Sequence, residues 1–267
     1  MTNVSKQATP QRTLNPLGVA GFFEPSPFLD RLVRFLGTVA GTDKVFMFVQ
    51  YYSKIIIWFL SRTGKKTAAE QITNLAIPIS DFRILLRYYG LLPLIQWMIH
   101  IEHNPPATRF LHFIERIQNI ANILYYPLEH TWWLGQHKVI SLSDTKMNQI
   151  GIWSCRFWAV YVILQFLHLF EEWRLIKLRR IEVSKKLAAT GSSSTSDSAS
   201  REEVELEKQV LDTNAERIWR DTIINVGYFP LTVHWSLENS SFPDIGVGIF
   251  GTLAAIYQFK ASWKAAG

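Results

Sequence analysis

The sequence predicts an all-α membrane protein, with N-terminal amphipathic helices followed by a helical membrane-anchored region that carries a charged helical hairpin. Three observations predict it. The stretch Lys65 to Pro93 keeps its apolar residues on one face turn after turn. The apolar run between Trp153 and Trp173 has the length of a hydrocarbon core, since roughly twenty residues rising about 1.5 Å each cover about 30 Å. Finally, 48% of the residues are hydrophobic and ten are Trp, yet 19% are charged. Apolar and charged residues must then be segregated into blocks, as in a membrane protein with polar extensions.

The chain has 267 residues, enough for one large or two small domains, with a formal net charge of +6. That charge suits either nucleic acid or an anionic lipid surface. The basic residues stand beside long apolar runs and no nucleic-acid fold signature appears. An anionic phospholipid membrane is the expected partner, and nucleic acid is not. The single cysteine, Cys155, cannot close an internal disulfide. Residues 1–20 lack the apolar core of a secretory signal.

Residues 1–25, rich in Thr, Gln, Asn, Pro and Gly, read as a flexible arm, and residues 26–140 as an amphipathic helical region. Ser26-Pro27 places an N-cap before a proline at the first helical position, opening a helix that Gly37 to Gly41 ends. Thr42 and Asp43 can cap a second helix, which the Arg62-Thr63-Gly64 turn closes. In the third, Ala68, Ile72, Leu75, Ile79, Phe82, Leu86 and Tyr89 form the apolar stripe, with Lys65, Lys66, Arg83 and Arg87 expected on the polar side. The reading assigns Ile72, Leu75, Ile79, Phe82, Leu86 and Tyr89 to a membrane-inserting face and the four basic residues to lipid headgroups. The competing reading is a core-facing helix of a soluble bundle. Pro78 predicts two arms meeting near Asn74 to Ile77, because a mid-helix proline costs about 3 kcal/mol. A further helix is expected from Thr108 to about Tyr126, and an interfacial hairpin around Trp132-Trp133.

Residues 141–190 hold the Trp153 to Trp173 span and a basic helical extension that includes Lys177, Arg179 and Arg180. Arg156, Gln165 and His168 interrupt its apolar run. Residues 191–200, GSSSTSDSAS, read as a flexible loop open to phosphorylation. Residues 201–267 supply a charged helix returning against the basic one, then a C-terminal membrane hairpin in which Gly246, Gly248 and Gly251 allow close packing.

No catalytic constellation emerges. There is no Walker loop, dinucleotide fingerprint, G-x-S-x-G or H-E-x-x-H. His100 and His103 share a helix face, but no third ligand is placed by the sequence. The reading therefore assigns no catalytic residue, no cofactor and no metal, and an enzyme is not expected.

The run Arg31 to Gln50, RLVRFLGTVAGTDKVFMFVQ, followed by Tyr51-Tyr52, is similar to the opening of the peroxisomal biogenesis factor 11 (peroxin-11) family. Residues 80–96, SDFRILLRYYGLLPLIQ, resemble its Arg-aromatic-Leu amphipathic helix, and residues 129–140, EHTWWLGQHKVI, its Trp-Leu-Gly segment. Order and spacing carry the resemblance, which looks closest to a fungal gamma-like or C-type branch. It implies a peroxisomal membrane protein that elongates the membrane before fission, promotes peroxisome proliferation and self-associates as a homo-oligomer. It further implies cooperation with the dynamin-related fission machinery and insertion through the peroxin-19 import receptor, with Lys177, Arg179 and Arg180 as the expected targeting residues. The alternative function is a pore-forming peroxisomal metabolite channel, for which Arg156, Gln165 and His168 would mark a pathway.

Overall fold

The computed structural model describes residues 24–192 and 198–267, and every described element is helical. Ser26 caps α1 (Pro27–Leu36) by accepting the Leu29 N–H, with Pro27 opening the helix as expected. The second helix, α2 (Val39–Arg62), begins earlier than Thr42-Asp43 suggested, because Thr38 accepts the Gly41 N–H and becomes its cap. Gly64 adopts φ 76° after α2, a left-handed turn that glycine enters without Cβ strain.

Helix α3 (Lys66–Arg87) runs unbroken through Pro78. Pro78, exposed on its outer side, does not end the helix as the expected junction of two arms near Asn74 to Ile77 would have it. The interruption comes instead as a 3-10 turn at Tyr88–Gly90 that leads into α4 (Leu91–His103). Helix α5 (Arg109–Gln136) continues well past Tyr126, through Pro127 and the two tryptophans, so the hairpin anticipated there is replaced by helix. The turn follows at Lys138, at φ 58°.

Helices α6 (Asp144–Ser192) and α7 (Ser198–Ser236) have 49 and 39 residues, so α6 alone measures about 74 Å. Helical structure thus enters both ends of the Ser-rich segment, while residues 193–197 lie outside the described residues. The chain closes with α8 (Asp244–Ala265).

Packing joins these helices in a circuit: α3 on α2, α2 on α8, α8 on α7, α7 on α6, α6 on α5, and α5 back on α3 and α4. The N-terminal helices therefore complete the same bundle as the C-terminal ones. Met47 and Tyr51 of α2, Leu231 of α7, and Val247, Ala254 and Ala255 of α8 form its apolar core. Beyond the bundle, Leu169, Ile176 and Val183 repeat every seven residues along α6 and meet Leu211, Ala215 and Ile218 of α7 in a coiled-coil seam.

Helix α1 docks on the end of α8. Phe35 sits 5.1 Å from Phe259 and 5.4 Å from Trp263, and Arg31 donates to the Trp263 carbonyl at 2.6 Å. The first described helix and the last residues thereby meet at one end of the bundle.

Candidate membrane surface and polar interior

Among the described residues, two helical segments are long and apolar enough to cross a membrane, Lys66–His103 and Asp144–Ala188. In the first, which combines α3, the 3-10 turn and α4, only 6% of the most apolar window is buried. Its apolar residues consequently look outward. Within the α3 stripe, Leu75 is 52% and Tyr89 65% exposed, Phe82 is exposed apart from an edge-on contact with Phe46, and Ile72, Ile79 and Leu86 are half-buried. Lys65 and Lys66 stand exposed at the entry.

The two arginines of α3 do not join them. Arg83 is 6% exposed, and its guanidinium donates to Asp43 at 2.8 Å and to the side-chain oxygen of Gln50. Arg87 makes a two-pronged pair with Glu129, both contacts at 2.7 Å. The headgroup positions expected for Arg83 and Arg87 are corrected accordingly, because buried acids on α2 and α5 claim both charges. Tyr125 extends the second cluster by donating to Glu129 at 2.7 Å. At Asp43 burial acts to raise the pKa, but the Arg83 and Lys44 charges outweigh it and hold the carboxyl below its ordinary value. Glutamine 50 also donates to Ser80 at 2.6 Å, fixing the α2–α3 register.

The polar residues of the α6 apolar run are likewise answered from neighbouring helices. Arg156 donates to the Ser236 carbonyl at 3.3 Å, Gln165 accepts from Gln118 at 2.8 Å, and His168 lies 2.9 Å from Glu115. On α6 Tyr161, Gln165, His168 and Glu172 face the interior, while Val160, Ile163, Leu167 and Phe170 are exposed. The helix thus turns these polar groups inward beside buried Val162 and Leu169 and leaves large apolar side chains on its outer face.

Of the expected targeting residues, Arg179 pairs with Glu182 at 2.8 Å and with Glu207, and Arg180 pairs with Asp212 at 2.6 Å. Lys177 remains exposed with its ammonium 5.5 Å from the Trp173 ring. The acidic face of α7 neutralises much of the basic extension, as opposite charges along the two helices suggested.

Sequence reasoning missed Asp43 and Glu129 as partners and overlooked a polar stripe on α5. Glu115, Gln118, Asn119 and Asn122 stand at i, i+3, i+4 and i+7 among exposed Phe113, Ile120 and Leu124. That spacing was the available signal: polar residues on one face of an otherwise apolar helix mark an inward side.

No solved structure matches the chain. A fission yeast (Schizosaccharomyces pombe) protein described as uncharacterized is 23% identical over 234 residues, covering 87% of this chain and 93% of that protein. The human peroxisomal membrane protein 11C is 25% identical over 158 residues, which cover 59% of this chain and 61% of the human protein. The family description Peroxisomal biogenesis factor 11 (PEX11) matches residues 29–263. With that match extending from α1 to the last turns of α8, the chain belongs to the peroxisomal biogenesis factor 11 family and is a protein of the peroxisomal membrane.

Proposed function

We infer from family membership a role in peroxisome proliferation and membrane remodelling. We propose that the protein performs it by seating the outward stripe of α3 among lipids, with Ile72, Leu75, Ile79, Phe82, Leu86 and Tyr89 as the inserting face and Lys65 and Lys66 at the headgroups. The observation that carries this reading is the opposition on α3: Leu75 and Tyr89 face out while Arg83 and Arg87 are tied inward. Burying a large apolar side chain contributes about 1.5–3 kcal/mol, against about 1 kcal/mol for each lysine near an anionic surface. The apolar term dominates, and insertion beneath one leaflet widens headgroups relative to tails. Self-association would place several such stripes side by side, and the dynamin-related fission machinery would act on the elongated membrane.

The test uses full-length protein reconstituted on anionic liposomes. Leu75→Asp with Tyr89→Asp changes two exposed positions, so the helical content of the bundle should persist while liposome tubulation falls at least tenfold. Undiminished tubulation by the double variant would overturn the reading.

The hairpin is proposed as the surface read by the peroxin-19 import receptor, with Lys177, Arg179 and Arg180 contributing. Replacing all three with Ser is expected to send a fluorescent fusion to other membranes or the cytosol. Retention at peroxisomes would exclude these residues as the targeting signal. Phosphorylation in residues 191–200 remains a proposal of the same kind, read out by peroxisome number after Ser-to-Ala replacement across the segment.

A further inference from the structure

The polar stripe of α5 faces a cavity of about 420 Å³ between α4, α5 and α6 that is open on one side. Most of the polar groups around it are accounted for. Glu115 and His168 hold one another at 2.9 Å, and Gln118 donates to Gln165 at 2.8 Å. Two amides are left over. Asn119 is 4% exposed, and its buried amide nitrogen has no hydrogen-bond partner. Asn122, one turn further along the same wall, has no side-chain partner among the described residues. An unanswered buried amide costs about 1–3 kcal/mol, so Asn119 at the wall of this cavity calls for an occupant, and the half-buried Asn122 offers it a second polar group.

The lining restricts what that occupant can be. The carboxylate and the imidazole are already paired, so a charged ligand would meet no free counter-charge and its desolvation would go uncompensated. The free groups are the amides and the Tyr126 and Tyr161 hydroxyls, which offer both donors and acceptors, and a hydroxyl is the uncharged group that answers both. Trp97 of α4 lines the opposite side and offers a ring against which a carbon skeleton can lie.

We propose that the α4–α5–α6 cavity is a binding site for a small uncharged polyol group, its hydroxyls bonded to Asn119 and Asn122 and its carbon face against Trp97. Such a group can be a free solute or the glycerol headgroup of an uncharged lipid entering beside α4. The site is independent of the inserting face of α3, so the Leu75→Asp, Tyr89→Asp variant should retain it even if tubulation is lost.

The experiment uses the full chain in phosphatidylcholine nanodiscs. In one arm, titration calorimetry with glycerol and with myo-inositol is run at millimolar concentration, below the range where polyols stabilise proteins by exclusion from their surface. In the other, native mass spectrometry follows retention of added short-chain diacylglycerol. Saturable one-to-one binding is expected in one arm. Asn119→Leu should weaken it at least tenfold without lowering the unfolding midpoint, since it removes an unanswered amide at similar shape. Trp97→Leu, at a side chain that is exposed on one side, should weaken it as well. No saturable binding in either arm would mean that the cavity holds only water, and the proposal fails. It fails equally if both variants bind like the wild type, or if Asn119→Leu lowers the unfolding midpoint and so reveals a structural bond.

Discussion

Replacing Arg83 with Ala is expected to destabilise the protein by about 1.5–3 kcal/mol, because the change removes a charge-assisted hydrogen bond and leaves the largely covered carboxylate of Asp43 with Lys44 alone. Arg83 also donates to Gln50, so the α2–α3 register loosens along with the ion pair. The decisive comparison is a double-mutant cycle read by chemical denaturation in nanodiscs. Asp43→Leu alone should cost a similar amount by leaving the guanidinium unpaired, whereas Arg83→Leu with Asp43→Leu should recover most of the loss, since an apolar pair of similar volume carries no desolvation penalty. Strict additivity of the two single changes would show that the pair contributes nothing as a pair. If Arg83 instead met lipid headgroups, Arg83→Ala would cost little stability and would mainly weaken liposome binding.

The second large effect is expected at the α2–α8 contact. A Cβ built on Gly251 would stand 2.2 Å from Cδ1 of the Tyr51 ring, and that ring is buried in the apolar core. The obstacle is the body of a packed ring, so the helices must separate. Overpacking a well-filled core typically costs about 1–3 kcal/mol and occasionally more, and Gly251→Leu belongs at the upper end because its whole side chain must enter the seam. Thermal unfolding should show a fall of several degrees, and Tyr51→Ala in the same chain should restore part of it by opening the space. Ile249→Ala on the exposed side of α8 is the control, with little change expected. A Gly251→Leu variant that melts with the wild type would mean that α2 and α8 do not pack at this distance.

Much of the architecture was legible along the chain. Ser26-Pro27 marked the start of α1, the apolar period marked α3, the Trp-bounded run marked α6, and the opposite charges at residues 174–218 marked a hairpin. These features are local: caps and periodicities act within a few turns of one helix, so the sequence carries them directly. The errors were also local in origin. Thr38 outranked Thr42 as the α2 cap, and Pro78 and Pro127 lie inside α3 and α5 rather than ending them.

What the sequence determined by itself is a helical chain with long apolar faces and a charged hairpin. What only the tertiary structure decided is which polar residues turn inward and whom they meet. Arg83 finds Asp43 at a separation of 40 residues and Arg87 finds Glu129 at 42, and Tyr51 meets Gly251 across most of the chain. A helical period reveals that a helix has two faces but not which one faces the bundle. That choice rests on the combined cost of leaving Asp43, Glu129 and Glu115 without partners, and it is settled only when six helices close a circuit around them.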